Sequence, residues 1–395
     1  MSTLMHKIAN ESIEICHIQM AYYPGSEMRA FYEYTQALSR MGHHVCVIAA
    51  GKPDEATFEC VNGVEVYRIK VRSISKKSLE PVIFLRKAIQ ILRAEAKSRP
   101  FDVIHTYTSW EMIPMPLLMS SAAKRFVFDI RSNAISGGLF TTIGKVLRRI
   151  SRLVYDAVIV LDDALGKDIF GNCTRYHIVP LGVDLNTFSP VGMRDKRLAK
   201  ERFGLNPEKN TIGFISSLYP TRRCDRVLET YKVVMSKKPD TQALIVGDGP
   251  DFSKLQHVIN HDSILKNRVK MTGKVPITEV HHAYHACDVF LSYIPINSIY
   301  DPQPPLKTIE ALASGVPVIA TATRGNKTFI QDQVNGLLAN DNVEDLASKC
   351  LTILSNKCLR QALIKAGIET AKKFEWNKIV RDYLLPIYLD LLSSK

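Results

Sequence analysis

The sequence has no Cys-x-x-Cys pairs and no long apolar runs, and its first residues do not show the pattern expected of a leader peptide. Its eight cysteines are scattered, and none stands in a Cys-x-x-Cys pair, which is typical of a protein kept in a reducing compartment. Residues 1–10 contain no continuous apolar stretch of the kind found in secretion signals. No run of about 18 apolar residues occurs anywhere in the chain. We therefore expect a cytoplasmic protein whose only attachment to a membrane is peripheral, on its cytoplasmic face.

Signals for nucleic-acid binding are also missing. The chain has no Lys/Arg-rich low-complexity arm, no zinc-finger spacing and no aromatic signature of RNA-binding domains. Its formal net charge is nevertheless +13, from 52 basic and 39 acidic residues. Such an excess favours anionic partners, such as phosphates or an acidic membrane surface. We expect no nucleic-acid partner.

Metal-binding patterns are absent as well. His281 and His285 would share one face of a predicted helix beside His282, but no third ligand matches them and no His-Glu-x-x-His motif exists. No Asp-x-Asp motif stands at the end of a predicted strand. The sequence therefore predicts neither a metal ion nor a dedicated cofactor.

What the sequence does contain is a regular alternation of strand and helix patterns. Apolar strand-like runs alternate with stretches that carry apolar residues at helical spacing, first up to residue 161 and again from residue 211. This pattern is typical of α/β proteins with doubly wound parallel sheets. A chain of 395 residues also exceeds what one core usually supports. We expect two Rossmann-like domains.

The domain boundary is predicted at residue 182. We expect an N-terminal domain over 1–182 and a C-terminal domain over 183–375, with a linker that includes the charged stretch 194–202. A final helix follows the second sheet, and residues 376–395 are expected to cross back to the first domain. Ligands of such sheets bind beyond the carboxyl ends of the strands, so functional residues should lie in the loops there.

Several segments, in a fixed order, resemble one enzyme family. The segment 304–320 (PPLKTIEALASGVPVIA) resembles the donor-binding segment of the retaining glycosyltransferases of family 4. Further matches are PGS at 24–26, MGHHV at 41–45, VPLGVD at 179–184, VGDGP at 246–250 and NGLL at 335–338. The resemblance implies the GT-B fold, in which two Rossmann-like domains face a cleft. It also implies transfer of a sugar from a nucleotide-diphosphate sugar, with retention at the anomeric carbon.

The segment 304–320 is expected to bind the donor at the start of a helix. Pro305 suits a first helical turn, and the free N–H groups of Leu306 and Lys307 would meet a diphosphate at the positive helix end. By resemblance, Glu310 accepts hydrogen bonds from the ribose hydroxyls. The alternative is a glutamate that only solvates its helix.

One departure from the family pattern concerns the donor sugar. A second glutamate is usual eight positions before Glu310, and this sequence has Pro302 there. The neighbouring Asp301 is predicted to take its place as a catalytic residue that accepts from sugar hydroxyls. The alternative is an ordinary turn residue before a proline.

A second departure concerns the diphosphate. Ser217 stands where the family often has an arginine, whereas Arg222 matches the family's lysine in the same loop. Arg222 is predicted to be catalytic because a cation there would stabilise the negative charge that develops on the leaving diphosphate. Arg223 or Lys307 would compensate for the missing cation. The alternative is a solvated surface arginine.

The other donor-binding predictions lie in loops after strands. Glycines there permit tight turns and close approach of the backbone to a ligand, and by resemblance the backbone after residue 273 meets the nucleobase. The predicted positions, besides Ser217, are Gly25, Ser26, Gly247, Gly249, Lys274 and Val275.

Polar residues stand at predicted strand ends in the first domain, where the resemblance places the acceptor. Asp129 is predicted to be catalytic, by orienting the acceptor hydroxyl, and Arg131 and His105 are predicted to bind the acceptor. The alternatives are a structural ion pair between Asp129 and Arg131, and a histidine satisfied within its strand.

A basic amphipathic helix is predicted over 145–154. Such a helix can lie on an anionic membrane, near a lipid-linked acceptor. The alternative is a helix packed on its own domain with a solvated basic side. The basic residues are Lys145, Arg148, Arg149 and Arg152, and the apolar ones are Val146, Ile150, Leu153 and Val154.

These observations predict a glycosyltransferase of polysaccharide biosynthesis. It would move a hexose-type sugar from a UDP- or GDP-sugar to a hydroxyl of a glycan or a lipid-linked acceptor. Two alternatives stay open. One is a nucleotide-sugar epimerase or hydrolase on the same fold, and the other is a non-catalytic nucleotide-binding subunit, suggested by Pro302 and Ser217.

Overall fold

The chain forms two compact units. The computed structural model describes residues 12–25, 28–71, 79–107, 110–131, 139–173 and 175–394. The first unit comprises Met1–Leu181 and Trp376–Lys395, and the second comprises Gly182–Glu375. Each unit has its own sheet and hydrophobic core.

An eight-stranded sheet organises the first unit. Its strands are β1 (Glu14–Tyr22), β2 (His44–Gly51), β3 (Phe58–Val61), β4 (Val64–Lys70), β5 (Phe101–Tyr107), β6 (Ala123–Ile130), β7 (Ala157–Val160) and β8 (His177–Ile178). Their order is β3-β4-β2-β1-β5-β6-β7-β8. The direction of winding reverses between β1 and β5, which is the switch point of a doubly wound sheet.

The helices of this unit pack on the sheet through their apolar sides. They are α1 (Arg29–Arg40), α2 (Glu80–Ser98), α3 (Met115–Leu118), α4 (Leu139–Val154) and α5 (Asp163–Phe170). Residues of α2, α3 and α5 share one core with β1 and β6, and Phe84, Met115, Ile169, Ile18 and Phe128 are all buried in it. Helices α2 to α5 therefore form one layer on one face of the sheet.

The second unit has a six-stranded sheet in which every neighbouring pair is parallel. Its strands are β9 (Asn210–Ile215), β10 (Thr241–Val246), β11 (Val269–Met271), β12 (Val289–Ser292), β13 (Val318–Thr321) and β14 (Leu337–Ala339), in the order β11-β10-β9-β12-β13-β14. Its helices are α6 (Met193–Arg202), α7 (Asp225–Lys237), α8 (Phe252–His261), α9 (Val280–His285), α10 (Leu306–Ala313), α11 (Arg324–Lys327), α12 (Val343–Ser355) and α13 (Lys357–Ala371).

The charged stretch 194–202 was predicted to be linker, and this prediction is wrong. The stretch forms helix α6, because its charges find partners in the second unit. The Asp288 carboxylate accepts from Lys196 Nζ and from Lys200 Nζ, each at 2.8 Å. Lys200 Nζ also donates to the carbonyl oxygen of Lys209.

One edge of the first sheet is not parallel as expected. Strand β3 runs antiparallel to β4, and Asn62 and Gly63 connect them with φ angles of 50° and 82°. Both angles lie in the left-handed region, as in the type I′ turns that join tight hairpins. The hairpin thus closes this edge without a crossover helix.

The chain ends in a helical segment that belongs to the first unit. Helix α14 (Trp376–Ile379) continues through a π-helical turn (Val380–Leu384) into α15 (Leu385–Ser393). Trp376 and Tyr388 are fully buried, and the Trp376 ring meets Tyr34 of α1 edge to face. Over the described residues, the structure contains no helix with the length and apolarity needed to span a bilayer.

Candidate functional site

Helix α10 begins at the carboxyl edge of the second sheet, after strand β12. Pro305 is its N-cap, in extended conformation, rather than a residue of its first turn. Its side chain forms no capping hydrogen bond. The first N–H groups of a helix have no acceptor within the helix, and they carry partial positive charge. The position of Leu306 and Lys307 is therefore suited to an anion.

A buried polar network fixes α10 to its neighbours. Thr308 Oγ1 lies 2.6 Å from Ser292 Oγ on β12 and donates to Asn326 Oδ1 on α11 at 2.8 Å. Asn326 Nδ2 donates in turn to the Thr321 carbonyl oxygen at 2.9 Å. All four residues are fully buried. Because a broken bond in this network would leave a buried polar atom unsatisfied, the start of α10 is firmly placed.

The Glu310 carboxylate accepts a hydrogen bond from a buried tyrosine. Tyr284 Oη on α9 donates to Glu310 Oε2 at 2.7 Å, and Tyr284 is fully buried. Burial, together with the negative charge of Glu310, holds the pKa of Tyr284 well above its ordinary value. The phenol therefore stays protonated and acts as a hydrogen-bond donor that orients the carboxylate.

The Lys307 side chain runs inward from the first turn of α10. Its Nζ donates to the Tyr293 carbonyl oxygen at 3.0 Å and lies 4.8 Å from the centre of the Phe214 ring. Burial, and next the positive charge of Arg222, lower the pKa of Lys307 to about 7. The Lys307 amine is therefore only about half protonated near neutral pH.

Arg222 ends a 3₁₀ turn (Pro220–Arg222) in the loop after β9. Its guanidinium carbon lies 4.1 Å from the centre of the Tyr300 ring. Neither Arg222 nor Lys307 forms an ion pair with a carboxylate in the part of the chain that the structure describes. Arg223 differs, because its guanidinium faces Asp225 at 3.6 Å and is half exposed. Lys307, rather than Arg223, therefore accompanies Arg222.

The two predicted glycines after β10 permit a close approach of two loops. A β-carbon at Gly247 would clash with the carbonyl oxygen of Ser216, and one at Gly249 would clash with that of Leu218. Their φ angles are 139° and 156°, in a region that side chains disfavour. Ser217, between the two contacted carbonyl groups, is exposed.

The other loop predictions fall on less constrained positions. Gly247 N–H donates to the Gly273 carbonyl oxygen at 2.9 Å, which brings the start of the next loop beside it. There Lys274 is exposed and Val275 is half-buried. A β-carbon at Gly25 would clash with the Tyr22 carbonyl oxygen. Ser26 lies outside the described residues.

Asp301 is engaged by helix α11. Its carboxylate accepts from the Arg324 N–H at 3.0 Å and from Arg324 Nε at 2.5 Å. The Asp301 carbonyl oxygen also accepts from the Gly325 N–H at 2.8 Å. This carboxylate therefore has a structural role, and contact with a sugar would require it to share these donors.

The three polar residues predicted in the first unit come together in its interior. Arg131 donates to Asp129 Oδ2 at 2.6 Å, and His105 Nε2 lies 3.3 Å from the same oxygen. His105 and Asp129 are fully buried. The ion pair that the sequence left open is thus present, and in this conformation a ligand cannot reach the carboxylate.

Two further groups complete this cluster. His105 Nδ1 is hydrogen-bonded to Tyr388 Oη of α15 at 2.5 Å, and the His17 ring stacks on the His105 ring at 4.6 Å. Burial lowers the pKa of His105 and holds that of His17 well below its ordinary value. The cluster thus attaches the end of the chain to the first sheet through neutral imidazoles.

Helix α4 packs on the core of the first unit through Leu147 and Val154 and presents other apolar residues to solvent. Val146, Ile150 and Leu153 are exposed, whereas Arg149 Nε donates to the Ile169 carbonyl oxygen and Arg152 lies 5.9 Å from the centre of the Phe170 ring. The helix is thus packed on its own domain, as the alternative has it, but its exposed side carries apolar residues as well as Arg149. The Lys145 side chain lies outside the described residues.

The three neighbouring histidines do not converge on a common point for a metal. His285 Nε2 donates to the Ser189 carbonyl oxygen at 3.0 Å. Within the described ranges, no group of three or more His, Cys, Asp or Glu residues is placed to hold a metal ion.

Several residues of the site were missed by the sequence analysis, namely Tyr284, Tyr293, Tyr300 and Asn326. Each acts through a contact with another element of the second unit, and no spacing rule links residues so far apart. Tyr300 directly precedes Asp301, which the sequence analysis had selected, but only the fold shows that the Tyr300 ring contacts Arg222.

Two family models match the chain. The model for Glycosyltransferase Family 4 matches residues 25–187, and that for Glycosyl transferases group 1 matches residues 195–370. A curated relative, the alpha-monoglucosyldiacylglycerol synthase of Acholeplasma laidlawii, is 22% identical over 91% of this chain and 92% of its own length.

Solved structures share the architecture. Sucrose-phosphate synthase from Thermosynechococcus elongatus superposes with a TM-score of 0.76 at 20% identity, over 96% of this chain and 99% of that one. Anabaena HepE, solved in complex with UDP-glucose, gives a TM-score of 0.72 at 16% identity, over 95% and 99%. With both family models matched and the two parallel-sheet units in place, the chain belongs to the group 1 glycosyl transferases of family 4 and has the GT-B fold.

Proposed function

We propose that the chain transfers a hexose-type sugar, with retention, from a UDP- or GDP-sugar to an acceptor hydroxyl. The observation that carries this proposal is the pair of cations Arg222 and Lys307 beside the uncapped start of α10, neither of which has a carboxylate partner among the described residues. An anion with two charges would satisfy both cations and the helix N–H groups together. The diphosphate of a nucleotide sugar is such an anion.

The remaining groups fit the two ends of that donor. Glu310, oriented by Tyr284, would accept hydrogen bonds from two adjacent ribose hydroxyls. Lys274 and Val275 would meet the base through their backbone, and Gly247 and Gly249 would let the backbone approach the donor. Asp301 would contact the sugar, sharing its carboxylate with Arg324.

The proposed reaction breaks the bond between the anomeric carbon and the β-phosphate oxygen. The acceptor oxygen bonds to the same face of that carbon, and its proton passes to the departing phosphate oxygen. Arg222 and Lys307 stabilise the charge that grows on the diphosphate, which is where preorganised cations have their largest effect. In this proposal the first unit binds the acceptor, with His105, Asp129 and Arg131 supporting that surface from the interior.

The donor is tested by binding. Nucleoside diphosphates that bind only the folded protein raise its free energy of unfolding by about 2.7 kcal/mol at a hundredfold excess over Kd. We expect UDP or GDP, and not ADP, to raise the Tm of the wild-type protein, with a much smaller rise for Glu310→Ala. The measurement is a thermal-shift series at equal ligand concentrations. A Tm that no nucleotide moves at millimolar concentration would contradict the donor site.

An activity assay on the same protein then distinguishes the transferase from the two alternatives. Incubation of the selected donor without an acceptor should leave most of it intact, apart from slow hydrolysis. Rapid conversion to another nucleotide sugar would indicate an epimerase, and rapid hydrolysis would indicate a hydrolase. Binding without turnover in the presence of glycan and lipid acceptors would favour the non-catalytic subunit.

For the acceptor we propose a glycan or lipid-linked molecule, reached through peripheral contact with an anionic membrane. The outward surface of α2, α3 and α4, here called the apolar face, consists of Val82, Ile83, Leu117, Leu118, Val146, Ile150 and Leu153, all exposed. Leu117 and Leu153 are 71% and 77% exposed. The exposed part of α2 also carries Arg86, Lys87 and Arg93, whereas its two glutamates are half-buried. Apolar and basic groups on one surface suit an anionic bilayer.

Vesicle sedimentation tests this contact. We expect the protein to bind phosphatidylglycerol vesicles and not phosphatidylcholine vesicles at low salt, because the charge attraction requires anionic lipid. The double variant Leu117→Ser/Leu153→Ser should weaken this binding about tenfold or more, from the lost apolar burial. Met193→Ser, at a 78% exposed position of the second unit, is the matched control and should bind as wild type does. Equal binding by both variants would exclude the apolar face.

A further inference from the structure

We infer that Tyr300 is a positioning residue that holds the Arg222 guanidinium ready for the diphosphate of the donor. The inference rests on the proposed function, because it assigns the diphosphate to Arg222. It adds an aromatic residue whose part in the site is to fix the orientation of the cation.

The contact has two components. The guanidinium carbon of Arg222 lies 4.1 Å from the centre of the Tyr300 ring, well inside the range of a cation–π interaction. Tyr300 Oη is hydrogen-bonded to Thr221 Oγ1 at 2.9 Å. Thr221 and Arg222 are consecutive in the 3₁₀ turn Pro220–Arg222. One side chain therefore holds both the backbone turn and the guanidinium that extends from it.

An aromatic partner has a property that a carboxylate lacks. A carboxylate would orient Arg222 but would also cancel the charge that an incoming phosphate needs. The face of a ring attracts the cation through its quadrupole and leaves its net charge in place. Arg223, the next residue, shows the contrast, because it is paired with Asp225 at 3.6 Å.

The contact with Tyr300 also counteracts the repulsion between Arg222 and Lys307. Lys307 lies close enough for the charge of Arg222 to affect its protonation, so the two cations repel each other in the absence of an anion. A free arginine side chain would swing toward solvent to reduce that repulsion. The Tyr300 ring offsets part of this tendency, so less conformational freedom is lost when the diphosphate binds.

The ring itself is firmly placed. Tyr300 is only 7% exposed, and the Asn297 side chain accepts from the N–H groups of Ile299 and Tyr300 at 3.0 and 2.9 Å. The following residue, Asp301, is bonded to Arg324. The Tyr300 backbone is thus fixed on both sides, as a positioning residue requires.

A double-mutant cycle tests the inference, with UDP and GDP as the probes and calorimetric Kd as the readout. Tyr300→Leu should weaken binding of the preferred nucleotide about 5–10-fold, the scale of a partly desolvated cation–π contact. In an Arg222→Ala background the same substitution should change Kd less than twofold. Tyr300→Phe keeps the ring and should stay within about threefold of wild type, since it loses only the bond to Thr221.

The double-mutant cycle can also contradict the inference. A loss of affinity on Tyr300→Leu that is equal in both backgrounds would show a merely structural role and overturn the inference, as would an unchanged Kd. If Arg222→Ala alone leaves Kd unchanged, the diphosphate assignment of the proposed function falls, and the inference falls with it. Should Tyr300→Leu not fold, Tyr300→Met, which also lacks a ring, takes its place in the cycle.

Discussion

Replacing Arg222 by alanine is expected to lower kcat by about 10²–10³-fold, the loss usual when one preorganised charge-stabilising group is removed. The reason is that the diphosphate carries more negative charge in the transition state than in the bound donor, so the cation contributes more there. The measurement is the release of nucleoside diphosphate from the donor that the thermal-shift series selects.

The adjacent arginine supplies the control. Arg223 has the same charge but faces Asp225 and is half exposed, so Arg223→Ala should change kcat by less than about twofold. Both variants should unfold at nearly the wild-type temperature, because neither residue is buried. Similar losses of kcat in the two variants would mean that general surface charge, and not the position of Arg222, governs turnover.

Donor binding is expected to weaken steeply above neutral pH, because of Lys307. A diphosphate favours the ammonium form, whereas burial lowers the pKa of Lys307 to about 7 in the free protein. If only the ammonium form of Lys307 accepts the diphosphate, Kd should increase about 50-fold between pH 7 and 9, and proton uptake on binding should rise from about half a proton at pH 7 toward one at pH 9. A UDP- or GDP-sugar is the appropriate ligand, because a terminal phosphate with a pKa of about 6 would titrate nearby.

The pH dependence has its own controls. Lys307→Met should bind weakly at every pH and show a flat profile, while Lys274→Met, at an exposed position, should keep the wild-type slope. The stability of the free protein should change with pH in the opposite direction to donor binding. The unfolded chain binds the proton up to about pH 10.5, so the free energy of unfolding contributed by this group rises with pH between about 7 and 10.5. A flat wild-type profile would rule out Lys307 as a phosphate-binding group.

Much of the architecture could be predicted because strand and helix periodicity is local. The two doubly wound sheets and the family were confirmed, and the alternation predicted to resume at residue 211 does so with strand β9. The hairpin of β3 and β4 was missed, although Asn62-Gly63 is a strong signal for a tight turn. Strand β3 is exposed at the sheet edge and shows little apolar alternation, so it gave no strand signal of its own.

The other errors concern partners that are distant in sequence. Composition alone made 194–202 look like linker, because the single carboxylate of Asp288 that fixes Lys196 and Lys200 lies more than 80 residues away. Helical spacing predicted that α4 is amphipathic but could not show that some of its apolar residues would be exposed. The contact between Tyr300 and Arg222 likewise depends on two loops that only the fold brings together.

The return of residues 376–394 to the first unit has a consequence for biosynthesis. Chains are made from the amino end, and domains generally fold as they emerge from the ribosome. Here the second unit can complete its own sheet and core before residues 376–394 are made, because all of its strands precede them. The first unit must wait with an open core until Trp376 and Tyr388 arrive. Until then its unfilled interior is what chaperones and proteases would encounter.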